Sequence, residues 1–490
     1  MTKASRVKTG IDGLDNVLAG GLPSGHLYLI EGDPGTGKTT LALQFLLSGV
    51  EAGEPTLYVT LSESKSELHA VAKSHGWTLD SINIFELLPE ESSLRPDGQY
   101  TVFHPSEVEL ADTTKAMLDE VEKRDPRRIV IDSLSELRML AGDPLRYRRQ
   151  ILALKEYFSG RQCTVLLLDD RTSTSHDLQL QSIAHGVLAM ENLPREFGIK
   201  RRRIEVVKLR ASTFREGYHD YGIKTGGLEV YPRLIAAEHR PGFRPETLPS
   251  GLKELDDLWG GGIDRGTSTL IMGPAGAGKS SIAAQYAVAA TERGEAAAVY
   301  LFDEGLQTFL TRARGLGMNA DSALEKGVLR LEQIDPAELS PGEFVTRIRK
   351  AVEVQHARLI IIDSLNGFLN AMPGEQRLIL QLHELITFLN QQGVATFLIM
   401  AQHGLLGREM ASPVDVSYLA DSVLLLRFFE SQGEVKQALS IVKKRTGRHE
   451  RSIRELQFNG RICIGHALAQ FRGILSGIPD LITGKSSENR

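Results

Sequence analysis

The chain has 490 residues, 41% of them hydrophobic and 24% charged, and a formal net charge of -5. Such a balance describes a globular protein able to bury more than one core, and it speaks against a chain built to bind polyanions. No apolar run is long enough to span a bilayer, the first residues lack the apolar core of a secretory signal, and two cysteines are too few for a disulfide framework or a zinc site. A cytoplasmic location is expected.

In chain order, short apolar runs alternate with amphipathic segments, the pattern of βαβ units around a parallel sheet. The first half offers strands at Leu27 to Glu31, Thr56 to Thr60, Arg128 to Ile131 and Thr164 to Leu168, apolar enough to be buried on both faces. Val187 to Met190 and Ile204 to Lys208 follow and are expected to be antiparallel. The basic run Lys200-Arg201-Arg202-Arg203 between them reads as a solvated hairpin or subunit contact in preference to a nucleic-acid patch. A proline-rich joint at His239 to Pro245 divides an expected first domain, residues 1–240, from a second, 241–475. The second half repeats the pattern at Thr269 to Met272, Ala298 to Phe302, Leu359 to Ile362 and Thr396 to Met400, then Val423 to Leu426 and Ala438 to Val442. Residues 476–490 are expected to form a short flexible tail. Cys163 and Cys463 lie in apolar stretches and are expected to be buried.

The halves share more than a rhythm. Gly32-Asp33-Pro34-Gly35-Thr36-Gly37-Lys38-Thr39 matches the phosphate-binding loop pattern, and Gly273-Pro274-Ala275-Gly276-Ala277-Gly278-Lys279-Ser280 matches it again 241 residues later (273 − 32). One such match by chance in a chain of this length has a probability of about one in a hundred. Thr9-Gly10-Ile11-Asp12-Gly13-Leu14-Asp15 recurs as Ser250-Gly251-Leu252-Lys253-Glu254-Leu255-Asp256 with the same shift, and Glu63 recurs as Glu304. Asp132 recurs as Asp363 at a shift of 231 (363 − 132), so the first copy is ten residues longer between Glu63 and Asp132 (69 against 59). A period this long means duplicated domains.

Each loop carries a chemical expectation. Gly32, Gly35 and Gly37, like Gly273, Gly276 and Gly278, let backbone N–H groups close round phosphates at a helix N-terminus, with Thr36 and Ala277 between them. Lys38 and Lys279 reach the β- and γ-phosphates of ATP, and Thr39 and Ser280 offer hydroxyls to Mg²⁺. Asp132 and Asp363 end apolar strands, where a P-loop enzyme needs a carboxylate for the metal. Glu63 and Glu304 follow the strand after the loop helix, where a carboxylate can polarise an attacking water or hydroxyl.

Together these residues resemble the KaiC-type double-domain ATPases of the RecA-like class, over nearly the whole chain to about Ile482. The resemblance implies an α/β fold of two tandem RecA-like domains with mainly parallel sheets. Where that family has paired glutamates after the second strand, this chain reads Ser62-Glu63 and Asp303-Glu304, so Glu63, Glu304 and Asp303 become the catalytic candidates. Lys208-Leu209-Arg210 and Lys443-Lys444-Arg445 match the family's Lys-x-Arg signatures, which in the family reach ATP bound by the neighbouring subunit. The resemblance thus implies a homo-hexameric ring in which Lys208, Arg210, Lys443 and Arg445 act in trans. It places Ser417 and Tyr418 at the family's two phosphoacceptor positions, Ser417 as the acceptor and Tyr418 as a second candidate whose hydroxyl lies further from the backbone. A KaiB-type partner is possible on the same ground. A partner recruited by a long C-terminal tail is not expected, because the chain ends about where that tail begins.

The leading expectation is an ATP-hydrolysing, self-phosphorylating ring protein that acts as a regulator or timer, with hydrolysis mainly in the first domain. A DNA-handling RecA-like motor would share the loops and acids, but no basic, aromatic-rich loop suited to single strands is present. A nucleotide-switched scaffold with little turnover is the third reading, prompted by Ser62 and Asp303.

Overall fold

The computed structural model describes residues 5–87, 105–171, 178–194, 198–239, 242–370, 376–402, 417–476 and 480–481. The chain divides into two compact units, Met1–Arg233 and Leu234–Arg490. The division precedes the proline-rich joint because Leu234 and Ala236 are buried in the second unit's core.

The first unit is built on nine strands: β1 (Leu27–Gly32), β2 (Thr56–Thr60), β3 (Asn83–Glu86), β4 (Arg128–Asp132), β5 (Thr164–Asp170), β6 (Gly186–Leu193), β7 (Arg201–Leu209), β8 (Tyr218–Lys224) and β9 (Gly227–Tyr231). Their order across the sheet is β3-β2-β4-β5-β1-β6-β7-β8-β9. The second unit repeats this with β10 (Ser268–Gly273), β11 (Ala296–Leu301), β12 (Leu329–Gln333), β13 (Ala357–Asp363), β14 (Ala395–Ala401), β15 (Ser422–Ser431), β16 (Glu434–Lys444), β17 (Arg454–Phe458) and β18 (Ile462–Ala467). The order is again β12-β11-β13-β14-β10-β15-β16-β17-β18. The two sheets share one topology, strand for strand.

Every residue of β1, β2 and β4 is buried, as a sheet covered by helices on both faces requires. One face packs against the loop helix Lys38–Glu51 and the other against Leu134–Ala141 and Pro144–Ser159, giving two core layers in the unit. The second unit has the same two layers.

Several expectations change. Val187 to Met190 and Val423 to Leu426 are not simply antiparallel: β6 runs parallel to β1 and antiparallel to β7, and β15 stands likewise between β10 and β16. These strands are hinges of direction, which apolar content alone does not reveal. The basic run is not a solvated hairpin. Arg201 is buried against Asp220 of β8 at 3.3 Å, and Arg203 pairs with Glu191 of β6 at 2.7 Å and stacks over Tyr218. Buried cations need such partners, so this run holds the antiparallel sheet together. Cys163 is buried and its thiol is pushed up to about 12 by burial, whereas Cys463 is half-exposed on β18. In the expected tail, Asp480–Leu481 pairs antiparallel with Phe471–Arg472; residues 482–490 lie outside the described residues. Part of the span that makes the first copy longer, 88–104, also lies outside them.

Candidate functional site

Both loops lie at the C-terminal end of the central strand of their sheet. Gly37 (φ 94°) and Gly278 (φ 100°) take the left-handed conformation that starts the helices Lys38–Glu51 and Lys279–Glu292. Neither helix start has a side-chain cap, so the N–H groups of the first turn stay available to an anion. A Cβ on Gly37 would meet Ile223 at 2.7 Å, and one on Gly278 would meet Phe458 at 2.2 Å. Thr36 and Ala277 are fully buried, and the Thr36 carbonyl accepts from Tyr221 of β8 at 2.7 Å, tying the loop to the antiparallel sheet.

In the first unit the loop, β2, β4 and β5 bring one cluster together. Lys38 Nζ donates to the carbonyls of Gly32 (2.7 Å) and Asp33 (3.2 Å) and pairs with Asp170 at 2.7 Å. The Thr39 hydroxyl donates to Asp132 at 3.4 Å, and Tyr58 of β2 donates to the same carboxylate at 2.5 Å. Burial is the main cause that raises the Asp132 pKa, with Tyr58 and Lys38 opposing it. Glu63 is half-buried, and its Oε2 is buried without a hydrogen-bond partner among the described residues. Burial first, then the charges of Asp132, Glu67 and Asp170, push its carboxyl up to about 7.

The second unit assembles the same parts differently. Lys279 Nζ donates to the Pro274 carbonyl at 2.7 Å, and burial lowers its pKa to about 8 against the pull of Asp363. Burial raises the pKa of Asp363, opposed by the neighbouring Ser280 hydroxyl. Glu304 is ion-paired with Arg312, whose Nε and Nη2 are buried without partners. Asp303 accepts from Ser364, the residue after Asp363, and is turned to the exposed side of the strand end.

The Lys-x-Arg signatures lie at the ends of β7 and β16, two strands from the loop strand, and engage the short helix Leu178–Ile183 before β6 and the turn before β15 respectively. Lys208 donates to Gln181 and Arg210 to Ser182 (2.8 Å). Lys443 donates to the carbonyls of Ser417 (2.9 Å) and Ala420 (2.7 Å), and Arg445 to Tyr418 (3.0 Å) and Asp421 (3.2 Å). Ser417 and Tyr418 thus sit on a turn gripped through its backbone, with Tyr418 56% exposed.

Sequence reasoning did not single out Tyr58, Asp170 or Arg312. Asp170 had a signal, a carboxylate ending a strand beside the loop strand. Arg312 had none, since its reach depends on how a helix packs.

No three-carboxylate or histidine cluster able to hold a metal occurs among the described residues. A P-loop magnesium needs none: one hydroxyl, one carboxylate and phosphate oxygens suffice, with water filling the octahedron. Thr39 facing Asp132 and Ser280 facing Asp363 are hard-oxygen pairs of that kind, and the uncapped loops fit a polyphosphate. Fold and site define a double-domain P-loop ATPase of the RecA-like class.

The profile of the family described as "ATPase: KaiC" matches residues 7–235 and again 248–462. The chain belongs to the KaiC family of ATPases. It is 26% identical over 486 residues to the circadian clock oscillator protein KaiC of Picosynechococcus sp. (strain ATCC 27264 / PCC 7002 / PR-6), covering 97% of this chain and 93% of that one. It is 26% identical over 490 residues to the protein of that name from Thermostichus vulcanus, covering 98% and 93%. The figures for that of Prochlorococcus marinus (strain MIT 9313) are 26% over 491 residues, 98% and 97%. No helix among the described residues is long and apolar enough to cross a membrane.

Proposed function

We propose that this protein is an ATP-hydrolysing ring protein, a homo-hexamer, that turns ATP over mainly in its first domain and transfers phosphate to its own Ser417 in the second. The observation that carries the division of labour is the contrast between the two post-strand glutamates. Glu63 has a buried, unpartnered oxygen and a carboxyl pushed up to about 7, the range in which a general base works near neutral pH. Glu304 is held by Arg312, so its lone pairs are engaged by a cation.

The residues divide the work as follows. The uncapped loop N–H groups and Lys38 or Lys279 hold the β- and γ-phosphates. Thr39 with Asp132, and Ser280 with Asp363, hold Mg²⁺, which when bound neutralises charge across the transferred phosphoryl group. Glu63 orients and deprotonates water in the first domain, and Glu304 with Asp303 beside it serves the Ser417 hydroxyl in the second. Lys208, Arg210, Lys443 and Arg445 project across the subunit interface to the neighbour's nucleotide. Because they donate to the backbone of the turn that carries Ser417, Lys443 and Arg445 couple the acceptor to the cation pair. Tyr418 is the secondary acceptor, and a KaiB-type partner remains part of the proposal through family membership.

Regulation or timing is the biological reading that family membership supports, and the relatives' printed names point the same way. The DNA-motor reading loses ground because two arginines of the one basic run are paired inside the fold. The test is phosphosite mass spectrometry of the full chain after incubation with Mg-ATP. Phosphate on Ser417, absent from Glu304→Gln, is expected; a Ser417 that stays unmodified while ATP is hydrolysed contradicts the transfer.

A further inference from the structure

The two loop lysines are not equivalent. β5 pairs with β1 so that Asp170 stands opposite Gly32, and β14 pairs with β10 so that Ala401 stands opposite Gly273. The same place in the two sheets therefore holds a carboxylate in one unit and a methyl group in the other. The consequence is visible at the ammonium groups. Lys38 has its three N–H donors matched by Gly32, Asp33 and Asp170. Lys279 hydrogen-bonds to the Pro274 carbonyl. Among the described residues no carboxylate stands in hydrogen-bond contact with it.

We propose that Asp170 is a specificity-determining residue that stands in for the terminal phosphate on Lys38, so that the first site discriminates less than the second between a nucleoside triphosphate and a diphosphate. This rests on the reading of both loops as nucleotide sites. The argument is a competition for one ammonium group. A triphosphate must displace Asp170 from Lys38 and then lie near its negative charge. A diphosphate reaches Lys38 through its β-phosphate, which replaces a loop carbonyl and leaves the Lys38–Asp170 bond intact. At the second site Ala401 offers nothing to displace, so the third phosphate joins the β-phosphate on Lys279 without meeting a carboxylate. The exchange moves no covalent bond and needs no co-reactant. Functionally, the first site would retain its hydrolysis product while the second would favour fresh triphosphate.

The experiment measures equilibrium binding of ADP and ATP to the full chain by displacement of a fluorescent nucleotide in Mg²⁺ at 4 °C, before significant turnover. The first site is read with the second loop silenced by Lys279→Ala, and the second site with Lys38→Ala. Asp170→Asn, which keeps shape and removes charge, should raise the first site's preference for ATP over ADP by about tenfold, the factor equivalent to one pKa unit of charge interaction. Ala401→Asp should lower the second site's preference in the opposite sense. An unchanged ratio in Asp170→Asn, with both nucleotides still bound, overturns the proposal while leaving the nucleotide-site reading intact. A first site that binds neither nucleotide in the parent protein overturns that reading, and the proposal with it.

Discussion

Glu304 accepts a hydrogen bond from Nη1 of Arg312, a residue on the helix Leu306–Gly315. The first unit has Val71 at the matching place of the helix Lys65–Ser74 (312 − 241). The latch is therefore confined to the second site. Arg312→Val should release Glu304 and increase phosphate release by the second domain, measured in a Glu63→Gln background, by about two- to fivefold. That ratio corresponds to the roughly 0.4–1 kcal/mol of a partly exposed ion pair. A decrease would show instead that Arg312 assists the reaction as a cation.

The first domain should carry a pH limb of its own. With the Glu63 carboxyl pushed up to about 7 by burial and the neighbouring acids, the ionised form that acts as base grows as pH rises through that value. Phosphate release with the second loop silenced should rise correspondingly, and Glu63→Gln should be low and flat across the window. The same shift has the opposite sign for stability. The folded state holds its proton between the ordinary value of 4.5 and about 7, so this group's contribution to stability declines as pH rises through that window.

The loop glycines of the second domain separate two costs. Gly276 (φ 78°) has only Phe428 near a would-be Cβ, at 3.9 Å, whereas Gly278 (φ 100°) would place it 2.2 Å from Phe458. Gly276→Ala should cost about 1–2 kcal/mol from the left-handed backbone alone. Gly278→Ala should cost at least about 1 kcal/mol more, because the aromatic ring has to move. Denaturant unfolding of the full chain, followed through the second unit's transition, distinguishes them.

What was legible in the sequence was what local pattern encodes. Both loops, the strand-end Asp132 and Asp363 and the core parallel strands follow from short stretches whose residue types are dictated by burial or phosphate geometry. The edge strands Asn83–Glu86 and Leu329–Gln333 escaped because half-exposed edges mix polar and apolar residues. The Lys38–Asp170 and Glu304–Arg312 pairs escaped for a different reason. Each depends on strand register or helix packing, and an arginine facing inward reads in sequence like one facing water. The Arg201–Asp220 pair made the same point in reverse, turning an apparent surface charge run into a buried fastening.

The most direct test of the account is steady-state phosphate release by the full chain, its Glu63→Gln variant and its Glu304→Gln variant, at saturating Mg-ATP and pH 8. Removing a general base should lower the first domain's turnover by about a hundredfold or more. Glu63→Gln should therefore lose most of the total release, while Glu304→Gln retains most of it. A Glu63→Gln protein that hydrolyses ATP at nearly the parent rate would contradict the assignment of turnover to the first domain.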